Sequence, residues 1–113
     1  MDILVIVGPT ASGKSSHALK IASEKNGEII NADSRQFYKE MNIGTAKPSE
    51  NELETIPHHL VNCCSVEAPW NVADFIREAQ KAIQSCLNRN KLPILVGGTG
   101  MYVKSLLFGL AQI

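Results

Sequence analysis

Gly8-Pro9-Thr10-Ala11-Ser12-Gly13-Lys14-Ser15 follows directly on the apolar run Ile3-Leu4-Val5-Ile6-Val7. The octapeptide fills every fixed position of the pattern G-x-x-x-x-G-K-[ST]. In that pattern a strand delivers a loop, a helix leaves it, and the backbone N–H groups between them wrap a phosphate. Gly8 and Gly13 allow the tight turn and the close approach of backbone to anion. Lys14 adds a mobile positive charge, and the Ser15 hydroxyl can hold a magnesium ion that bridges two phosphates. The helix dipole adds to the same field. Ala18, Leu19 and Ala22 continue at helical spacing, so a helix is expected over 14–25. The ligand is a polyphosphate compound; which one, and which of its bonds breaks, the motif leaves open.

Outward from the loop, the chain alternates strands and helices. Asn26-Gly27 stops the first helix with a residue that tolerates positive φ. Residues 28–32 read as a second strand, ending at the polar cluster Asp33-Ser34-Arg35-Gln36. A short helix is expected at 49–55 and a short strand at 58–62. Asn71 reads as an N-cap, with Asp74 favouring the helix start. Val72, Phe75, Ile76, Ala79, Ala82, Ile83, Cys86 and Leu87 form one apolar stripe, predicting a helix over 72–89. Residues 93–96 form another buried strand, followed by the turn Gly97-Gly98-Thr99-Gly100 and a helix from Met101 to Phe108.

This order predicts an α/β fold: a P-loop NTPase-like parallel sheet with helices on both faces. Ligands bind at the carboxyl ends of such strands. The phosphate loop, the Asp33 cluster and the Gly97–Gly100 turn should therefore share one sheet edge. The chain ends directly after a helix where a doubly wound domain usually continues, so the fold is expected to be incomplete, a fragment or a shortened relative.

The 113 residues carry 11 basic and 11 acidic side chains, a net charge of zero. No global basic character advertises nucleic acid, so any such contact needs a local patch or a further part of the protein. Cys63, Cys64 and Cys86 are odd in number and two are adjacent, which is no disulfide framework. A reduced, cytoplasmic setting is expected, with the thiols acting as small apolar residues. No charged leader precedes the first strand, so no signal peptide is expected. No apolar stretch approaches the ~20 residues that span a bilayer.

Asp33 has three open roles. It can be the magnesium partner of a kinase or NTPase, a general base facing the group that attacks the phosphate compound, or a helix cap. Thr99 can hydrogen-bond a substrate or cap its helix. Arg35 and Gln36 can read a purine edge or lie solvated. His58 and His59 invite a metal reading, but no third ligand is spaced to help them, so structural roles are expected. Trp70, Phe37 and Tyr38 are expected to pack.

Five blocks, taken together, carry a more specific signal. They are Gly-Pro-Thr-Ala-Ser-Gly-Lys-Ser at 8–15, Asn-Ala-Asp-Ser-Arg-Gln-Phe-Tyr at 31–38, Met-Asn-Ile-Gly-Thr-Ala-Lys-Pro at 41–48, Pro-His-His-Leu-Val at 57–61 and Pro-Ile-Leu-Val-Gly-Gly-Thr-Gly-Met-Tyr at 93–102. In sequence and order they resemble the tRNA dimethylallyltransferase (tRNA isopentenyltransferase) family. The resemblance implies transfer of a dimethylallyl group from dimethylallyl diphosphate to the exocyclic amine of an adenosine beside the tRNA anticodon. It implies that Thr10 through Ser15 contact the diphosphate, with Mg2+ near Ser15. Asp33 would be the general base on the adenine amine, Ser34, Arg35 and Gln36 would line the tRNA-contacting stretch, and Thr99 would support the pocket. It also implies that residues 1–113 are the N-terminal part of the catalytic domain, without the tRNA-binding insertion and the C-terminal part, and weak or inactive alone. In the full-length family a monomer is expected. A small-molecule or nucleotide kinase, an adenylate isopentenyltransferase and a non-catalytic remnant remain the alternatives.

Overall fold

The computed structural model describes residues 3–7, 14–33, 37–38, 50–97, 103–104 and 106–107; of Lys14 and Ser15 it describes the main chain. The elements run β1 (Leu4–Val7), α1 (Lys14–Lys25), β2 (Gly27–Asn31), α2 (Glu50–Thr55), β3 (His58–His59), α3 (Val72–Asn88) and β4 (Leu92–Gly97). The four strands form one sheet in the order β1-β4-β2-β3, and every pairing is parallel.

The side-chain alternation of β2 and β4 sorts the core into two layers. Ile29, Ile94 and Val96 point to the face that Ala18 and Ala22 of α1 cover, with Ile56 beside them. Ile30, Ala32 and Leu95 point to the other face, against Phe75, Ala79, Ala82, Ile83 and Cys86 of α3. Val103 and Leu106, in helical backbone, join this second layer. A sheet covered on both faces needs apolar runs rather than alternating ones, which is why Ile29-Ile30 and Ile94-Leu95-Val96 are continuous.

α3 begins where the sequence predicts. The Asp74 N–H donates to Asn71 Oδ1 at 2.8 Å, and the Asn71 N–H donates to Asp74 Oδ2 at 2.9 Å, a reciprocal cap. α1 stops at Asn26, whose φ of 55° turns the chain into β2. Phe37 is fully buried, its ring 5.6 Å from Phe75 and 5.2 Å from Trp70, so these rings pack as expected.

Two expectations need correction. Residues 3–7 read as a buried strand, but β1 is half-buried and Val7 is 51% exposed. β1 lies at the edge of the sheet, a position set by crossovers that its own residues do not encode. The strand expected over 58–62 is only His58–His59, because Leu60 (φ 67°) and Asn62 (φ 53°) turn into left-handed backbone. Among the described residues no helix is long and apolar enough to cross a membrane.

Candidate active site

The sheet register puts three strand ends level with one another. Val7 of β1 lies opposite Gly97 of β4, and Asn31 of β2 lies opposite Val96. The Ala32 N–H continues that ladder onto the Val96 carbonyl at 2.7 Å, which brings Ala32 level with Gly97. Val7, Gly97 and Ala32 therefore form one row, and the chain leaves that row at Gly8, Gly98 and Asp33. β1 and β2 flank β4, so their ends stand about 10 Å apart.

That row is also where the connections diverge. The helix after β1 is α1, on one face; the helical residues after β4, Val103 and Leu106, lie on the other. A crevice opens where neighbouring strands send their helices to opposite faces, and ligands bind there. α1 starts at Lys14, with no acidic residue in its first turn, so its positive end meets nothing of its own sign-cancelling charge.

Of the sequence-predicted site residues, Lys14 and Ser15 open α1 behind the end of β1, and half-buried Asp33 follows the end of β2. Gly8, Pro9, Thr10, Ala11, Ser12, Gly13, Ser34, Arg35, Gln36 and Thr99 lie outside the described residues. The backbone of Asp33 is held from one side. Its N–H donates to Asn31 Oδ1 at 3.0 Å and its carbonyl accepts from Asn31 Nδ2 at 2.9 Å. The sequence carries a signal for this that motif reading passed over: an Asn two residues before an Asp can close on the backbone of the second residue.

Gly97 sets the spacing between β4 and the Asp33 segment. A Cβ there would stand 2.8 Å from Ala32 Cβ and 3.1 Å from Val103 Cγ2. Gly97→Ala is therefore expected to push Ala32 away and lower stability by about 1–3 kcal/mol. Chemical denaturation of the variant and the parent measures it.

A second polar cluster lies deeper. Glu28, 2% exposed, starts β2 on the α3 face, about 16 Å along the chain from Asp33. The Arg89 guanidinium donates to both of its oxygens, Nη2 to Oε1 at 2.8 Å. His59 Nε2 donates to Oε1 at 2.7 Å, and the Cys86 thiol lies 3.6 Å from the same oxygen. The Arg89 hydrogen bonds hold the Glu28 carboxyl well below the usual range, at about 2, against the opposing effect of burial. Burial, then the Glu28 charge, pushes the Cys86 thiol up to about 11. The donor atoms of Glu28, His59 and Cys86 lie within 4.8 Å of one another, a set that suits a soft divalent ion. The third donor that spacing failed to supply thus comes from α3. Arg89 nevertheless already neutralises the carboxylate, and the thiol stays protonated at neutral pH, so the cluster is an ion pair that ties the end of α3 to the sheet. His58 Nδ1 donates to the Ile56 carbonyl at 2.7 Å.

The described architecture recurs in known proteins. A family model described as IPP transferase matches residues 36–113. A tRNA dimethylallyltransferase from Pelobacter propionicus is 51% identical over 110 residues, covering 97% of this chain and 36% of that protein. One from Enterococcus faecalis is 49% identical over 106 residues, 94% of this chain and 34% of that protein. The full-length tRNA isopentenylpyrophosphate transferase structure from Bacillus halodurans superposes with a TM-score of 0.87 at 43% identity, covering 93% of this chain and 35% of that one. A eukaryotic dimethylallyltransferase solved acting on tRNA gives a TM-score of 0.84 at 36% identity, covering 94% of this chain and 27% of that one. The chain thus spans about a third of the length of the curated relatives it matches.

Proposed function

Because the chain belongs to the IPP transferase family, we propose that it supplies the donor-binding part of an enzyme that moves a dimethylallyl group from dimethylallyl diphosphate to the N6 amine of an adenosine beside a tRNA anticodon. The observation that carries this reading is the level row at the sheet edge, with Lys14 and Ser15 behind one strand end and Asp33 behind another, one strand away.

That spacing suits two reactants held side by side. The loop Gly8–Ser15 binds the diphosphate, its backbone N–H groups and Lys14 holding the charge that develops as the allylic carbon–oxygen bond breaks. The positive end of α1, free of acidic residues in its first turn, favours the same anion. Mg2+ fits beside Ser15, because a hydroxyl and diphosphate oxygens are the hard donors it prefers; when bound it neutralises charge on the leaving group. Asp33 takes the proton that the adenine amine loses as its nitrogen bonds to carbon. Thr99, Ser34, Arg35 and Gln36 complete the acceptor side, and the adenosine leaves the anticodon-loop stack to reach it. The remaining parts of the enzyme, including the tRNA-binding insertion, belong to the other two thirds of the relatives' length, and the setting is cytoplasmic.

Calorimetry of the 113-residue chain in Mg2+ is expected to show binding of dimethylallyl diphosphate in preference to ATP. A chimera in which residues 1–113 replace the matching segment of the full-length Bacillus halodurans relative is expected to prenylate unmodified tRNA, while the chain alone does not. Preference for ATP, with phosphate transfer from it, would instead make the protein a kinase.

A further inference from the structure

We propose that Asn31 is a positioning residue for Asp33, fixing the backbone that carries the carboxylate; the inference rests on the reading of Asp33 as the general base. Asn31 is 4% exposed, and its carboxamide faces inward at the end of β2. Its Oδ1 accepts from the Asp33 N–H at 3.0 Å. Its Nδ2 donates twice, to the Asp33 carbonyl at 2.9 Å and to the Leu60 carbonyl at 3.0 Å.

The first two bonds grip the peptide units on both sides of the Asp33 Cα. With both units held, the direction of the Cα–Cβ bond is set. The third bond ties that grip to the residue following β3, so Asp33 is anchored to two strands although it lies beyond the end of its own. Leu60 reaches Asn31 only through left-handed backbone, φ 67°, which a leucine rarely adopts. The strain is kept where it aims a carbonyl at the amide that holds Asp33. A base must lie within hydrogen-bond reach of the proton it removes, and a displacement of about 1 Å can cost ~10²-fold in rate. Asn31 meets that demand without touching either substrate.

Two measurements test the inference. In the 113-residue chain, the Asp33 amide is expected to exchange at least ~10-fold faster in Asn31→Ala than in the parent. In the chimera, Asn31→Ala is expected to lower kcat by ~10²-fold with KM for the donor unchanged. Asn31→Ser should recover part of the loss, because a hydroxyl can still accept from the Asp33 N–H. In an Asp33→Ala background, Asn31→Ala should cost nothing further, since residues acting as one unit are not additive. Unchanged exchange at Asp33, or a full additional loss in the Asp33→Ala background, overturns the positioning role alone. Undiminished turnover by Asp33→Ala overturns the reading of Asp33, and the inference with it.

Discussion

Asp33→Ala is expected to slow prenyl transfer by about 10²–10⁴-fold while leaving the affinity for dimethylallyl diphosphate unchanged. The adenine amine is a poor nucleophile, because its lone pair is delocalised into the purine ring. Its nitrogen becomes cationic as it bonds to carbon unless a base removes the proton. Asp33→Asn keeps the size of the side chain and its capacity to hydrogen-bond but removes the base, so it should fall in the same range. Donor affinity separates this role from the other roles open to an Asp at this place. The phosphate loop and Asp33 belong to strands on opposite sides of β4, and the ~10 Å between their ends keeps a carboxylate lost from one out of reach of the diphosphate on the other. A variant that bound the donor and Mg2+ weakly, with turnover restored at high metal concentration, would make Asp33 a magnesium partner instead. Calorimetry with the donor and single-turnover transfer in the chimera distinguish the two results.

What the sequence made legible was local or strongly patterned. The stripe from Val72 to Leu87 and the Asn71–Asp74 pair lie within one helix, and the observed α3, Val72–Asn88, ends one residue from the expected 72–89. The phosphate loop announces both its strand and its helix, and α1 runs over the expected span. The convergence at one sheet edge followed from the parallel topology alone. Strand order was not legible: that β4 inserts between β1 and β2, leaving β1 half-exposed at the edge, depends on contacts between residues some 90 positions apart, such as Leu4 with Ile94. The short β3 was hidden for a different reason. Leu60 has the composition of a strand residue, and only its tie to Asn31 explains why it leaves extended backbone. The Glu28 cluster draws its partners from β3 and from the end of α3, 31 and 61 residues away. One signal pointed to it. A glutamate entering an apolar parallel strand must find a cation, because a buried carboxylate without one is too costly to keep ionised.

That requirement leads to a pH-dependent result. Glu28→Gln is expected to lower the stability of the chain by about 2–3 kcal/mol at neutral pH, and the difference should vanish in acid. The folded-state carboxyl sits at about 2, depressed from 4.5 chiefly by its hydrogen bonds to Arg89. A depressed carboxyl stabilises the fold fully above its unfolded value and loses that contribution as pH falls toward the folded one. The stabilisation should therefore be flat above about pH 5 and decline between 4.5 and 2. A shift of this size corresponds to about 3 kcal/mol at ~1.4 kcal/mol per pH unit. The lower end of the range allows for the 45% exposure of the Arg89 side chain, which lets water screen the pair. Arg89→Gln should behave differently, leaving the carboxylate buried with only His59 and the Cys86 thiol. Its deficit is expected to be greatest at neutral pH and to shrink as Glu28 becomes protonated, with the onset above pH 4.5 rather than below it, because burial without the guanidinium raises the carboxyl. Urea denaturation of the three proteins from pH 7 to pH 3 measures both curves. Parallel curves for parent and Glu28→Gln would mean that the carboxylate contributes no ionisation-linked stability and that the cluster holds α3 to the sheet by packing alone.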